Sequence, residues 1–427
     1  MDRLKLYKRL FSSFGMMGLG TGLGFIVHIG LAHLLDAHEY GVYNFIYSVA
    51  MIVCLVALMG MSSAITRFIA SYHIDDMQRH KIRQVIGFSV IFTSILGLIL
   101  GAIVFAVMAL SGKAHEYGNV ALFVGFLSVV PMTLIRQNSG ILRGFHKTTA
   151  SVAYETVARE AGMLAIVIGL YALGIKLTSG VGALLVMCVA LTIAITLSFY
   201  QIYKLLPPKA DTHPKQSIED WKEWISVSFP MMLMAAFQRL MKRIDLIFIG
   251  LMLGPAEAGI YALMVNFADG STIASKAALS VFAPKIAADF AKGDHASMRK
   301  DYNLARLFIA STSIIAALIL IFAGGFIIPL IGEQYMEGYN TLLIFLGFYV
   351  FTVLWGPASN VMMMTRYEKQ AMWQTKATAI LNIALNPILI YHFGMEGAAF
   401  ATGLSIMTRN LLSCHFVYKK GVLKPHE

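Results

Sequence analysis

Residues 34–50 read LLDAHEYGVYNFIYSVA, and residues 252–268 read MLGPAEAGIYALMVNFA. The two stretches align without a gap at an offset of 218, with Leu35/Leu253, Glu39/Glu257, Gly41/Gly259, Tyr43/Tyr261 and Ala50/Ala268 identical. The register holds further on: Arg67 falls on Lys285, each just before a polar loop, and Asp76 falls on Asp294. A 427-residue chain that repeats at about half its length predicts two similar lobes.

The composition says what solvent those lobes occupy. Hydrophobic residues make up 58% and charged residues 13% of the chain, with a mean hydropathy of +0.70. Soluble domains hold about 45–50% apolar and about 25% charged residues, so the surplus apolar surface must face lipid. Twelve apolar runs follow, near 10–35, 43–70, 84–110, 117–142, 148–173, 179–204, 224–252, 260–284, 302–328, 340–365, 376–392 and 397–418, each near the length that spans a bilayer as a helix. The expected fold is all-α: a polytopic membrane protein with twelve transmembrane helices in two parallel-repeat lobes of six. The lobes are expected at 1–205 and 222–427, with 206–221 as a cytoplasmic linker. The first run, too long for a signal peptide, reads as a retained span.

Basic residues test this division. Alternate segments hold Arg3, Lys5, Lys8 and Arg9; Arg79, Lys81 and Arg83; Arg143 and Lys147; Lys204, Lys209, Lys215 and Lys222; Lys285, Lys292, Arg299 and Lys300; Arg366, Lys369 and Lys376; and Lys419, Lys420 and Lys424. The intervening segments hold only Lys113 and Lys176. A wrong span count scrambles such an alternation. The positive-inside rule therefore expects both termini and the basic loops in the cytoplasm. The net charge of +11 is then a set of orientation signals and calls for no nucleic acid. Six spans per lobe give both copies one direction through the bilayer, a parallel repeat.

Several polar features have structural readings. Asp36 with Glu39, and Gly254-Pro255-Ala256-Glu257, read as helix starts. Ser217 and Asp220 read as caps of the seventh span, with Trp221 and Trp224 at the membrane interface. Cys54, Cys188 and Cys414 lie in apolar runs and read as packing residues. Asp75-Asp76 reads as a solvated loop. No catalytic constellation, cofactor motif or metal-ligand spacing is expected.

Nine basic residues remain once those segments are counted. Arg67, Arg136 and Arg306 lie near cytoplasmic ends, where long side chains reach the interface. Arg159, Arg239, Lys242, Arg243, Lys276 and Arg409 lie deeper, at a cost of about 2.5–3.5 kcal/mol each on insertion scales. The deep acids are Glu155, Glu160, Asp245 and Asp269. Lys242 shares a face with Asp245, Glu155 lies one turn from Arg159, and Asp269 shares a face with Lys276 two turns away. More deep cations than acids predict a positive cavity that attracts an anion, and arginine forks suit phosphate or pyrophosphate. The first span instead has Gly15, Gly18, Gly20, Gly22, Gly24 and Gly30 with His28 and His33, a helix built for close packing or bending. His28 reads as a hydrogen-bonded core residue, with proton coupling as the sharper alternative.

The stretch LLDAHEYGVYNFIYSVAMIVCLVALMGMSSAITRFIA, its copy after Leu253, and ILNIALNPILIYHFGMEGAAFATGLSI near the chain's end resemble the polysaccharide-transport family of oligosaccharide flippases. That family belongs to the multidrug/oligosaccharidyl-lipid/polysaccharide exporter superfamily. Tyr391 stands where the family often has a proline, and two further C-terminal spans found in lipid II flippases are missing. The resemblance implies no enzymatic activity and no cofactor. It implies transport of an undecaprenyl-pyrophosphate-linked oligosaccharide from inner to outer leaflet of a bacterial plasma membrane, by alternating access between the lobes, for surface polysaccharide synthesis. Substrate binding carries over to Arg239, Lys242 and Arg243 and, more weakly, to Arg159, Lys276 and Arg409. Asp245, Asp269 and Glu155 are candidates for a coupling proton or sodium ion. Expected partners are the lipid-linked oligosaccharide, membrane lipid and a polysaccharide polymerase. A multidrug extruder of the same superfamily is the alternative; its usual cationic cargo calls for an acidic cavity.

Overall fold

In hydrocarbon every backbone polar group must be satisfied within the protein, which leaves the helix as the economical form for long apolar runs. The computed structural model describes residues 3–74, 78–207, 218–240 and 243–420. For residues 3–14, 74, 218, 233–239, 274, 276, 277, 280 and 284 it describes the backbone alone. Every regular element among the described residues is helical.

The chain falls into two compact units. The first comprises Met1–Leu35 and Val42–Arg239, the second Asp36–Gly41 and Leu240–Glu427. The first contains α1 (Arg3–Leu34), most of α2 (Ala37–Ala57), α3 (Met61–Ile74), α4 (Lys81–Leu110), α5 (Lys113–Tyr117), α6 (Asn119–Gly144), α7 (Thr148–Val152), a π-turn over Ala153–Ala158, α8 (Arg159–Ala172), α9 (Gly180–Leu205) and α10 (Ile218–Leu240). The second contains α11 (Ile244–Met252), α12 (Pro255–Ser271), α13 (Ile273–Lys292), α14 (His295–Ile331), a 3₁₀ turn over Glu333–Gly338, α15 (Tyr339–Leu354), α16 (Ala358–Met364) and α17 (Glu368–Lys419), the last bent at Gly394.

Eight of these helices are long and apolar enough to cross a membrane. The expected second, fifth, seventh, eighth and tenth spans fall on consecutive shorter pieces, and the last two share α17. The α2–α3 break is made by Met59 (φ 43°) and Gly60 (φ 74°). Adding 218 to Lys81–Leu110 gives 299–328, inside α14, and adding it to Gly180–Leu205 gives 398–423, which overlaps the second arm of α17. The register of the opening repeat therefore persists through the helices.

The duplicated helix starts meet each other. Asp36 Oδ1 accepts from the Glu39 amide at 2.7 Å, and Pro255 occupies the first turn of α12, as the sequence suggests. A Cβ on Gly41 would lie 1.6 Å from the Pro255 carbonyl oxygen, and one on Gly259 would lie 2.0 Å from that of Ala37. The contact is reciprocal: residue 41 meets the copy of residue 37, and the copy of 41 meets 37. That is the signature of a local two-fold, and it explains why this glycine is present twice.

The first core gathers Met61, Ile65, Ile69, Ile82, Leu142 and Trp224; the second gathers Ile286, Met298, Tyr302, Val361 and Met362. Trp224 is not the interfacial residue its position suggested. It is fully buried and donates from Nε1 to the Tyr72 hydroxyl at 3.2 Å, because α10 packs its start into the first unit. Trp221 is partly exposed and stacks on Phe88. Asp220, expected to cap, pairs with Lys81 Nζ at 2.8 Å; Ser217 lies outside the described residues.

Candidate functional site

In the second unit the polar residues converge on Asp245, in the first turn of α11 and 4% exposed. Its Oδ2 accepts from the Tyr261 hydroxyl at 2.7 Å and from Thr402 Oγ1 at 3.3 Å, and its Oδ1 from the Leu246 amide at 2.8 Å. Tyr261 is the copy of Tyr43 from the duplicated stretch, while Thr402 lies on the second arm of α17. Thr402 Oγ1 in turn accepts from Asn382 Nδ2 at 3.1 Å, and Asn386 Nδ2 donates to the Asn382 carbonyl at 2.9 Å. The side-chain oxygens Asn382 Oδ1 and Asn386 Oδ1 are both buried without a donor. A buried carboxylate, a hydroxyl and two unsatisfied amide oxygens form a hard-oxygen environment that favours a small cation or a proton.

Arg409, on α17, lies beside this network. Its Nε is buried without an acceptor, and among the described residues no carboxylate lies within 4.0 Å of its guanidinium. Tyr349 donates to Asp269 Oδ1 at 3.3 Å and lies within electrostatic range of Arg409 and Asp245. Asp269 itself is exposed. Its expected companion Lys276 lies on α13, past the break at Thr272, and its side chain lies outside what is described.

In the first unit, Arg159 does not pair with Glu155. It binds Glu160 through Nε (3.0 Å) and Nη2 and donates to the Tyr47 hydroxyl at 3.3 Å. Glu155 accepts from Ser139 Oγ at 2.5 Å, and Ser139 shares a 2.7 Å hydrogen bond with Ser151. Glu155 lies within a π-turn over Ala153–Ala158, and each group is engaged by another partner. His28 packs against Tyr43 with ring centroids 6.2 Å apart.

In the expected seventh span, α10 ends at Leu240 and α11 begins at Ile244. Arg239 belongs to α10 by its backbone, Lys242 lies outside the described residues, and Arg243 immediately precedes α11 without a side-chain cap bond. The anticipated Lys242–Asp245 pair therefore lies beyond description, whereas Asp245 is held by Tyr261 and Thr402. Sequence reading missed Tyr261, Thr402, Asn382 and Asn386 as a group. The available signal was two asparagines one turn apart in an apolar run, a costly choice without a polar purpose. The copies share their scaffold but not their charges: 218 residues before Asp245, Thr402 and Arg409 stand Val27, Leu184 and Leu191, and 218 after Arg159 stands Ala377.

A sequence model of the family described as polysaccharide biosynthesis protein matches residues 6–284. An uncharacterized membrane protein of Methanocaldococcus jannaschii is 25% identical over 395 residues, covering 89% of this chain and 90% of that protein. The uncharacterized membrane protein EpsK of Bacillus subtilis is 27% identical over 229 residues, 52% of this chain and 44% of its own. Among solved structures, lipid II flippase MurJ in an inward closed conformation superposes with a TM-score of 0.72 at 15% identity, covering 95% of this chain and 87% of that one. An inward-facing multidrug resistance MATE family transporter of the MOP superfamily gives 0.69 at 15% identity, covering 94% of each chain. At such identities the likeness is one of fold.

Proposed function

Because the chain belongs to the polysaccharide biosynthesis protein family, we propose that this multi-pass membrane protein is a flippase. Its cargo in this reading is an oligosaccharide on undecaprenyl pyrophosphate, moved from the inner to the outer leaflet of a bacterial plasma membrane for surface polysaccharide assembly. The observation that supports this cargo is Arg409: a guanidinium in an apolar helix whose Nε lacks an acceptor and which has no described carboxylate in reach. An unmet charge at that depth costs several kcal/mol by general estimates, and a phosphate oxygen relieves it by charge-assisted hydrogen bonds. Arg239, Lys242, Arg243, Arg159 and Lys276 are the further candidates.

The work of transport is drawn from a coupling cation at Asp245. Sodium or a proton neutralises the carboxylate, Thr402 and Tyr261 reorient around it, and the neighbouring Arg409 feels the changed field through Tyr349 and Asp269. Alternating exposure of the anion site to the two leaflets then follows the ion gradient. A polysaccharide polymerase is the natural consumer of the exported unit.

Arg409→Ala in a host lacking its own flippase should abolish surface polysaccharide while the protein stays in the membrane at wild-type level. Arg409→Lys should retain part of the activity, since a point charge replaces the fork. Full export by Arg409→Ala overturns the headgroup role. Drug resistance conferred on a sensitive strain, with no rescue of polysaccharide, favours the multidrug reading instead.

A further inference from the structure

Glu155 and Arg159 stand four residues apart, the spacing at which opposite charges meet along an α-helix. The segment is wound otherwise. Ala153–Ala158 forms a π-turn between α7 and α8, and among the described residues no ion pair within 4.0 Å joins the two side chains. Each has another partner. Glu155 Oε2 accepts from Ser139 Oγ at 2.5 Å. That bond uses the only hydrogen of the Ser139 hydroxyl, so Ser151 is the donor in its 2.7 Å contact with Ser139. Arg159 is held by Glu160 and by the Tyr47 hydroxyl. Ser139, Ser151 and Glu160 are buried. Single π-turns inside helices are rare and recur at functional sites.

The glycine-rich first helix rests on this segment. A Cβ on Gly20 would lie 2.7 Å from Thr156 Oγ1 and 2.9 Å from Thr156 Cβ, and one on Gly24 would lie 3.5 Å from Glu160 Cδ. Gly15, Gly18, Gly22 and Gly30 would meet nothing within 4 Å. The two glycines that do meet a neighbour are one turn apart on α1. They face Thr156, inside the π-turn, and Glu160, just beyond it.

We propose that Ala153–Ala158 is a register switch, with two windings that offer the same charges different partners. In the π winding Glu155 is bound by Ser139, and Arg159 by Glu160 and Tyr47. In the α winding the four-residue spacing brings Glu155 to Arg159, whose five N–H donors serve both carboxylates, and Ser139 is released. Both windings leave the charges paired, as a bistable packed element requires. α1 follows the switch, because Thr156 and Glu160 turn beneath Gly20 and Gly24. The device lies wholly in the first unit and does not depend on the roles given to Asp245 and Arg409.

The test is a distance measurement by electron–electron resonance on the purified full-length protein in lipid nanodiscs. Spin labels are attached at Leu19→Cys on α1 and Ile168→Cys on α8, both exposed positions, with Cys188→Ser removing the native thiol that is not buried. Exchanging π for α winding turns one flank by about 100° against the other, the arc of one residue, which should displace a label by about 5 Å or more on a helix about 10–12 Å across. Ser139→Ala withdraws the hydroxyl that holds Glu155 and should populate a second distance. Glu160→Gln loosens the grip on Arg159 and should do the same. Adding Glu155→Gln should abolish the second distance in both, because the amide still accepts from Ser139 but forms no ion pair with Arg159. Should Ser139→Ala fail to fold, Glu160→Gln carries the same reading. One unchanged distance in the single variants, or a second distance that survives Glu155→Gln, overturns the proposal.

Discussion

Gly259→Ala is the perturbation that most directly tests the packing of the duplicated helix starts. Its new methyl would lie 2.0 Å from the Ala37 carbonyl oxygen and 2.8 Å from the Gly41 nitrogen. Both are backbone atoms, so no side chain can swing aside. The two helix starts must separate by about 1 Å to restore ordinary contact, and overpacking of this kind costs about 1–3 kcal/mol. Thermal unfolding in detergent should register it, at roughly 2–4 °C per kcal/mol for a unit of this size. Gly41→Ala should behave alike, its methyl lying 1.6 Å from the Pro255 carbonyl oxygen. Because both methyls occupy one contact, the separation forced by the first makes room for the second. The double variant should therefore fall short of the sum by about 0.5–3 kcal/mol, as touching sites do. Gly325→Ala is the control, since a Cβ there meets nothing within 4 Å and removing a helical glycine is mildly favourable. A Gly259→Ala protein as stable as the wild type, or strictly additive losses in the double variant, would refute the reciprocal contact.

Asp245→Asn keeps an acceptor for Tyr261 but removes the charge, so stabilisation of the purified protein by sodium ions or by acid should disappear with it. A variant that keeps either response excludes Asp245 as the ion's seat. Asp294 caps α14 by accepting from the Ser297 amide at 2.9 Å, and that bond holds its carboxyl below the usual carboxylate range. Its contribution is therefore complete above the usual range and drains away as the pH falls through the lowered folded value. Asp294→Ala should flatten the acid side of the stability profile, and an unaltered acid side would remove this cap from the account.

The helical architecture could be read in the sequence because span-length hydropathy and basic-loop alternation are summed over many residues, so local errors cancel. The capping of α2 by Asp36 and of α12 by Pro255 was equally legible, since each depends on neighbours within one turn. Where helices break was not. The π-turn over Ala153–Ala158 and the break at Thr272 between α12 and α13 leave no mark in a heptad pattern. Trp224 looked interfacial by position and proved to be core, because its burial is decided by Tyr72 and Phe88 on other helices. The same limit governs the candidate site. Asp245 stood out as a charge in an apolar run, but Thr402 lies 157 residues away along the chain, and no local pattern joins them. Arg136, expected to reach the membrane surface, is only 8% exposed and donates to Cys54 on α2, 82 residues away along the chain.

The unequal charges of the two copies bear on stoichiometry. In a symmetric pair of identical half-length chains, every substitution is made twice, so an acidic pocket on one side brings a second on the other. Fusing the copies into one polypeptide lets Asp245 stand where the other copy has Val27, and Arg409 where it has Leu191. Under the coupling proposed at Asp245, that carboxylate has no counterpart in the other copy, so the proposed ion site occurs once in the chain.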